Sequence, residues 1–493
     1  MMWQRIRLFI TIFIVCCGSV RAAETSTQDK KESRPQTKNE LAEYLVRQLK
    51  PLKYPRGQRL PLYVWATMDL EPADDAVTER ILKQLDETGI AVTCSWQAGD
   101  REKSLAEGLR VAALQKKLGL PVNVNATSCL HAFFNGDQST AHIDENGKPF
   151  FDDSFPANGQ MGCPFALQHR YAVIKEQIEP FLRAYKEKGL PIDFIFADWE
   201  IDGPIEWNGA WASSKRCTRC RQNIKNIDDF GEFQKAVRTI RCDIQKRVYA
   251  DTVKAYFPKT LVGNYAVYPN DGWRYWYDFF EEYVDGAPCK QDGRAKYRQW
   301  FDEFPRCGYT FAMPILYTWS RLYSWYDFEN SDYRWFYNLL LIASNAGRHT
   351  SADVPIISFV NHSPLGPAKE SKDIKPFSDD KYREVLWHML LRGHDTFFVY
   401  CGGPETLREL GPVHEVYAAA LEYKEFLDKG IPISFDVPKS PGPVVSGLRL
   451  GNRVLVRRTD FDDNRSEVTV VIEGKKLRIV RADGACQILK LPE

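Results

Sequence analysis

Two carboxylates separated by one residue, Asp198 and Glu200, close an apolar run that reads Ile192-Asp193-Phe194-Ile195-Phe196-Ala197-Asp198-Trp199-Glu200. On an extended strand, residues two apart share a face, so both acids point the same way. Two neighbouring carboxylates cannot both ionise cheaply. An ionised Asp198 is therefore expected to keep Glu200 protonated near neutrality, the state a general acid needs. Trp199 between them is a candidate substrate-binding ring. No GxSxG elbow, P-loop, HExxH or dinucleotide fingerprint follows a suitable strand, so esterase, nucleotide and zinc-protease chemistries have no support.

The elements that would position this pair alternate regularly. Apolar runs at Leu60–Asp69, Ile90–Trp96, Leu120–Thr127, Ile192–Glu200, Thr260–Tyr268, Tyr309–Tyr317, Val354–His362 and Thr396–Gly402 read as strands. Most are continuous, as parallel strands covered on both faces should be. Helical patterns lie between them, at Asp74–Thr88, Ser104–Leu118, Leu167–Lys188, Phe230–Tyr256, Trp273–Tyr283, Asp327–Ala346, Asp379–Arg392 and Val413–Lys429. Eight βα units predict an α/β fold, a (β/α)8 TIM barrel over 59–436, whose reactive groups sit at the carboxyl ends of the strands. After the Pro-rich stretch 438–443, short alternating runs predict a small C-terminal antiparallel β domain over 444–493, acting as a packing buttress.

The amino end reads differently. Arg5 and Arg7 precede an apolar stretch from Leu8 to Cys17 and small residues up to Ala22, the pattern of a signal peptide over 1–22. That predicts a secreted or periplasmic protein with no membrane span after signal removal, and a polar leader over 23–58. A formal charge of +1 gives no basic field for nucleic acid. Two of the 12 cysteines lie in the signal. Cys217-Thr-Arg-Cys220 is a CxxC, but zinc would need a second pair or a His partner nearby. None is evident, so the expectation is a local disulfide or plain thiols, with no metal and no cofactor.

A glycosidase with two carboxylates needs the second one about 5 Å away to retain, or about 6.5–9.5 Å away to invert. Strands six to eight end without an acid, which leaves Asp271 after strand five and Asp69 or Glu71 after strand one. The arrangement fits better a mechanism in which the 2-acetamido oxygen of an N-acetylhexosamine is the nucleophile. Asp198 would then orient the acetamido group while Glu200 protonates the leaving oxygen.

Here the chain resembles known families. Asp198-Trp199-Glu200 is similar to the signature of glycoside hydrolase family 56 hyaluronidases and to the end of the family 18 chitinase motif, with Phe196 in place of the latter's middle Asp. Gly263-Asn264-Tyr265-Ala266-Val267-Tyr268-Pro269 resembles the hyaluronidase strand five with one extra residue, and Met313-Pro314-Ile315-Leu316-Tyr317 its Pro-x-x-Tyr strand six. The segments 377–380 and 397–400 resemble its last βα unit, with Tyr400 where that family has Trp. The resemblance implies Asp198 as acetamido orienter and Glu200 as acid/base. It also implies Tyr265 and Tyr317 as acetamido or oxyanion partners, and Tyr400 as a pocket wall.

Aromatic residues crowd the loops: Trp207 and Trp211 after strand four, Trp273, Tyr275 and Trp276 after strand five, and Trp319, Tyr323, Trp325 and Tyr326 after strand six. Flat rings suit sugar faces. Trp207, Trp273 and Trp319, with Asp271, are the candidate substrate contacts, and the partner is a polysaccharide. The basic run 215–221 points to an anionic glycan or to a solvated face. The expected activity is an exported, endo-acting, hyaluronidase-like glycoside hydrolase. The alternatives are a conventional two-carboxylate glycosidase on another, sulfated or uronate, polysaccharide, and a barrel that binds glycan without cleaving it.

Overall fold

All eight apolar runs become parallel strands, all shorter than their runs except β7, which is shifted three residues on: β1 Leu62–Met68, β2 Ile90–Ser95, β3 Asn123–Asn125, β4 Phe194–Ala197, β5 Leu261–Asn264, β6 Ile315–Trp319, β7 Ile357–Leu365 and β8 Thr396–Val399. The computed structural model describes residues 35–130, 136–154, 160–199, 208–270, 302–319, 323, 326–365, 374–402 and 405–492. The signal segment, Glu200, Trp207, Asp271, Trp273 and the helix expected at Trp273–Tyr283 lie outside them.

The strands pair in the order β5-β4-β3-β2-β1-β8-β7-β6, so sheet neighbours are also chain neighbours except at β1–β8, where the first strand pairs in parallel with the last. The seam between β5 and β6 is bridged by the segment before β6. Thr310 N–H donates to Val262 O at 2.8 Å and Met313 N–H to Val267 O at 3.0 Å. Pro314 has no N–H, so the ladder of β6 begins only at Ile315. The curled eight-stranded parallel sheet with its helices is the expected (β/α)8 architecture. β5 stops at Asn264 rather than Tyr268 because Ala266 turns the chain left-handed, at φ 58°.

The interior is filled by aromatic rings, where barrels more often use branched aliphatic residues. Tyr63 stacks on Phe194 at 4.1 Å, Phe194 on Phe311 at 5.1 Å, and Phe359 meets Phe398 edge-on at 4.6 Å. Rings this large leave no space for a side chain at Gly263, where a Cβ would come 2.6 Å from the Phe311 ring.

Helices cover the sheet at Asp75–Glu87, Arg101–Lys117, His169–Glu187, Phe230–Ile244, Ser331–His349, Asp379–Leu390 and Thr406–Ala420. The expected helix Phe230–Tyr256 is continuous but widens into a π-turn at Gln245–Ala250. The polar leader holds a further helix, Lys38–Gln48. Thr37 and Glu40 form a capping box, and Ala42 and Leu45 are buried on the barrel. Within the expected polar leader, residues 38–48 thus form an amphipathic helix with a face to bury.

The C-terminal strands Val444–Leu450, Arg453–Thr459 and Cys486–Lys490 form an antiparallel sheet with Ile431–Pro432, beside a hairpin at Glu467–Ile472 and Lys475–Val480. This sheet is fastened to the barrel by buried polar bonds. His388 bridges Ser446 Oγ at 2.7 Å and Thr459 Oγ1 at 2.9 Å, and Arg392 Nε donates to Ser446 Oγ at 2.8 Å. Arg457 grips Glu384 through both carboxylate oxygens, at 2.9 and 2.6 Å. Burial holds the His388 imidazole well below its usual range, so it serves as a neutral bridge. These bonds hold the sheet against the helices of the barrel.

Gly263→Ala should lower stability by about 1–3 kcal/mol through overpacking against Phe311. Adding Phe311→Leu should recover part of that loss. Urea unfolding of the single and double variants measures both; additive losses would disprove the contact.

Candidate active site at the carboxyl end of the barrel

Side-chain parity in β4 decides which way the key residues face. Phe194 and Phe196 contribute to the aromatic interior, while Ile195 and Ala197 pack outward with the helical layer. Trp199 continues the outward set. It is 1% exposed, in the same cluster as Ile195, Ala197 and Val237. The expectation that Trp199 contacts substrate is therefore corrected: its ring anchors the strand end to the outer layer.

Asp198 is half-buried, and its Oδ1 is sealed from solvent with no hydrogen-bond partner among the described residues. Burial raises its pKa from the usual carboxylate value to about 7. The expected order was the reverse, with Asp198 ionised and Glu200 protonated. Desolvation makes Asp198 itself a group that holds a proton near neutrality.

The chain leaves β4 under close control. Asp198 N–H donates to Thr127 Oγ1 at 2.8 Å, and Thr127 in turn is held by Asn125 Oδ1. Trp199 N–H donates to Asn264 Oδ1 at 2.9 Å, and Asn264 Nδ2 returns a bond to Trp199 O at 3.2 Å. Behind them lies a buried charged network. Arg241 reaches Trp199 O at 3.3 Å and pairs with Glu303 at 2.8 Å, and Gln245 at the start of the π-turn donates to Glu303 at 3.0 Å. The sequence reading missed Thr127, Asn264, Arg241, Gln245 and Glu303. A polar Asn at the end of an otherwise apolar strand was the one available signal.

Tyr265, Tyr317 and Tyr400 converge above Phe359. Tyr317 lies 6.5 Å from Tyr265 and 5.5 Å from Tyr400 between ring centres, and Trp65 is 5.8 Å from Tyr400. Tyr265 and Tyr317 are nearly buried and Tyr400 half-buried. Trp319 closes β6 and is 5% exposed, so in this state it offers little surface to a sugar. Asp69, the alternative second acid, adopts φ 59° after β1; its carboxylate accepts from Ser95 N–H at 2.7 Å and lies 3.5 Å from Lys38. His362 Nε2–H donates to Phe377 O at 3.0 Å, in keeping with a structural histidine.

The basic run is partly absorbed by the fold. Lys215 lies over the Trp211 ring at 4.0 Å, Arg216 over Phe150 at 4.5 Å, and Arg219 donates to Ala141 O at 3.3 Å. The two cysteines within it are unbonded and buried. Contrary to expectation they have partners, because the fold brings His142 and Cys163 to them from another loop. A cavity of about 570 Å³ lies far from the strand ends, between the helix Asp379–Leu390 and the C-terminal sheet. Its charges satisfy one another, as in Arg457–Glu384 and Arg458–Asp460, so it marks a domain seam.

No family model matches the chain, and no curated protein matches it. The hyaluronidase-like and chitinase-like resemblances therefore rest on their short motifs alone. Solved structures with a similar fold include a GH36 alpha-galactosidase from Geobacillus stearothermophilus (12% identity, TM-score 0.45, covering 92% of this chain and 58% of that one). Others are a cycloalternan-forming enzyme from Listeria monocytogenes (10%, 0.40, 92% and 43%) and alpha-L-fucosidase isoenzyme 2 from Paenibacillus thiaminolyticus (11%, 0.39, 75% and 50%). The match spans about half the length of these enzymes. At such scores the likeness concerns the barrel architecture and carries no argument about activity. No described helix is long and apolar enough to cross a membrane.

The raised Asp198 pKa has a thermodynamic signature. Between the unfolded value near 4 and the folded value near 7, the native state binds the proton that the unfolded state has lost. Stability therefore falls as pH rises through this window, by on the order of 3 kcal/mol. Asp198→Asn removes that dependence, so its stability relative to wild type should be greater at pH 8 than at pH 4. Chemical denaturation at both pH values tests this, and parallel profiles would show that Asp198 is not desolvated.

Proposed function

We propose that the chain is a glycoside hydrolase working at the carboxyl ends of β4, β5, β6 and β8. The observation that carries this reading is Asp198 at the end of β4, two residues before Glu200, a desolvated carboxyl with one oxygen unpartnered among the described residues. A glycosidase needs a carboxyl group able to hold a proton near neutrality, and a carboxyl at a barrel strand end is where that chemistry is built. The tyrosine cluster supplies O–H donors and flat faces at the same end of the sheet, suited to a pyranose.

Within this reading the substrate is a polysaccharide containing N-acetylhexosamine, cleaved internally with retention. Glu200 gives its proton to the leaving oxygen as the acetamido oxygen attacks the anomeric carbon. With a pKa of about 7, Asp198 is partly ionised near neutrality, and it is this carboxylate form that accepts the acetamido N–H and stabilises the oxazolinium ion. Tyr265 and Tyr317 orient the acetamido group and Tyr400 walls the pocket. Glu200 then takes a proton from the water that opens the ring. Trp207, Trp273 and Asp271 are carried as further substrate contacts on sequence grounds. The leader signal would place this activity outside the cytoplasm.

A screen for reducing-end release over N-acetylated and sulfated polysaccharides tests the proposal. Glu200→Gln should cost about 10²–10⁴ in kcat, since that is the range of acid/base assistance. A thiazoline that mimics the cyclised acetamido group should inhibit. Turnover insensitive to the thiazoline would transfer the nucleophile to Asp69 or Asp271. Glycan binding without release of reducing ends would make the barrel a binding protein.

A further inference from the structure

We propose that His142, Cys163, Cys217 and Cys220 form a closed structural zinc site that ties two barrel loops together. Their candidate ligand atoms all lie within 4.8 Å of one another, and all four residues are buried. Cys163 Sγ is 3.5 Å from Cys220 Sγ and 3.8 Å from Cys217 Sγ, and His142 Nδ1 is 3.9 Å from Cys220 Sγ. A tetrahedral zinc with bonds of about 2.3 Å to sulfur sets its sulfurs roughly 3.8 Å apart, and its nitrogen slightly closer. The four groups thus already stand near the corners of the required tetrahedron. Three thiolates and an imidazole favour zinc over the hard cations, which take oxygen. Four protein ligands leave no open position, so the role is structural.

The surrounding chain is built around this cluster. His142 belongs to a two-stranded hairpin, His142–Ile143 with Pro149–Phe150, and its ring stacks on Phe150 at 5.1 Å. Its Nε2 is buried without a partner among the described residues, while Nδ1 faces the sulfurs. Cys163 is drawn in by a bond from its N–H to Thr140 O at 2.7 Å. The preceding Gly162 permits that approach, because a Cβ there would lie 2.6 Å from Thr140 O. The CxxC segment is docked on the hairpin by Thr218 Oγ1 to Ile143 O at 3.1 Å and Arg219 to Ala141 O at 3.3 Å.

His142 and Cys163 come from the connection between β3 and its helix, and the CxxC from the connection that follows β4. A bound zinc would therefore cross-link the two loops flanking the strand end that carries Asp198. The inference does not depend on the glycosidase reading, since metal binding is measured without any substrate.

Full-length protein purified from zinc-supplemented medium should contain close to one zinc per chain by elemental analysis. Cobalt exchanged into it should give thiolate-to-metal charge-transfer and tetrahedral d–d absorption. Chelation should lower the Tm and raise the count of reactive thiols. Cys163→Ser and Cys217→Ser should bring bound metal close to zero, whereas Cys94→Ser, at a buried cysteine outside the cluster, should leave it unchanged. The wild-type stoichiometry and cobalt spectrum decide the matter even if a variant fails to fold. Metal-free wild-type protein with no cobalt spectrum, or a disulfide among the three cysteines in peptide mapping, would overturn the proposal.

Discussion

The candidate site depends on how the chain is held where β4 stops being a strand. Ala197 is the last ladder residue, and both backbone polar groups of Trp199 would be orphaned in a dry environment just beyond it. Asn264 satisfies both with one side-chain amide, acting as the strand partner that β5 no longer offers. Arg241 adds a charged donor to the same carbonyl, and Glu303 neutralises that charge in a buried pair. Such a pair is weak evidence for stability, but loss of one member would leave an unpaired charge in the interior. Its effect here is geometric: it fixes the peptide that aims Asp198 inward and Trp199 outward.

The aromatic interior acts on the same residues from the other side. Beneath the strand ends, rings from β1, β4, β7 and β8 and from the segment before β6 fill the barrel. Above them, Tyr265, Tyr317 and Tyr400 form a lid of rings with hydroxyls. Asp198 lies at the end of β4, where burial strips hydration from its carboxyl.

Much of this was legible in the sequence, and the gaps have physical causes. Period-two and continuous apolar runs located all eight strands, but most ends were overestimated because hydrophobicity continues past the ladder, while β6 and β7 run on beyond Tyr317 and His362 to Trp319 and Leu365. Pro314 and the left-handed Ala266 interrupt the pairing without interrupting the apolar pattern. Strand parity correctly separated Asp198 from Trp199, yet a lone Trp beside an acid reads as a sugar platform until its burial is known. The Thr37–Glu40 capping box was visible and announced a helix inside a segment read as polar leader. The partners of Cys217 and Cys220 could not be found by local spacing, because His142 and Cys163 sit in a different βα loop. Only the closed sheet makes those loops neighbours.

The buried bonds between the barrel and the C-terminal sheet have a consequence for how the molecule comes apart. Its Pro-rich stretch at 438–443 looks like a domain boundary. The polar groups of His388 and Glu384, however, find their partners on strands beyond it, and Arg392 places one of its donors there. Separating the sheet would strand a carboxylate and an imidazole in apolar surroundings and leave one guanidinium N–H unpaired. The two architectural domains are thereby coupled into one cooperative unit, and a severed barrel would be an unfolding intermediate rather than a smaller native protein.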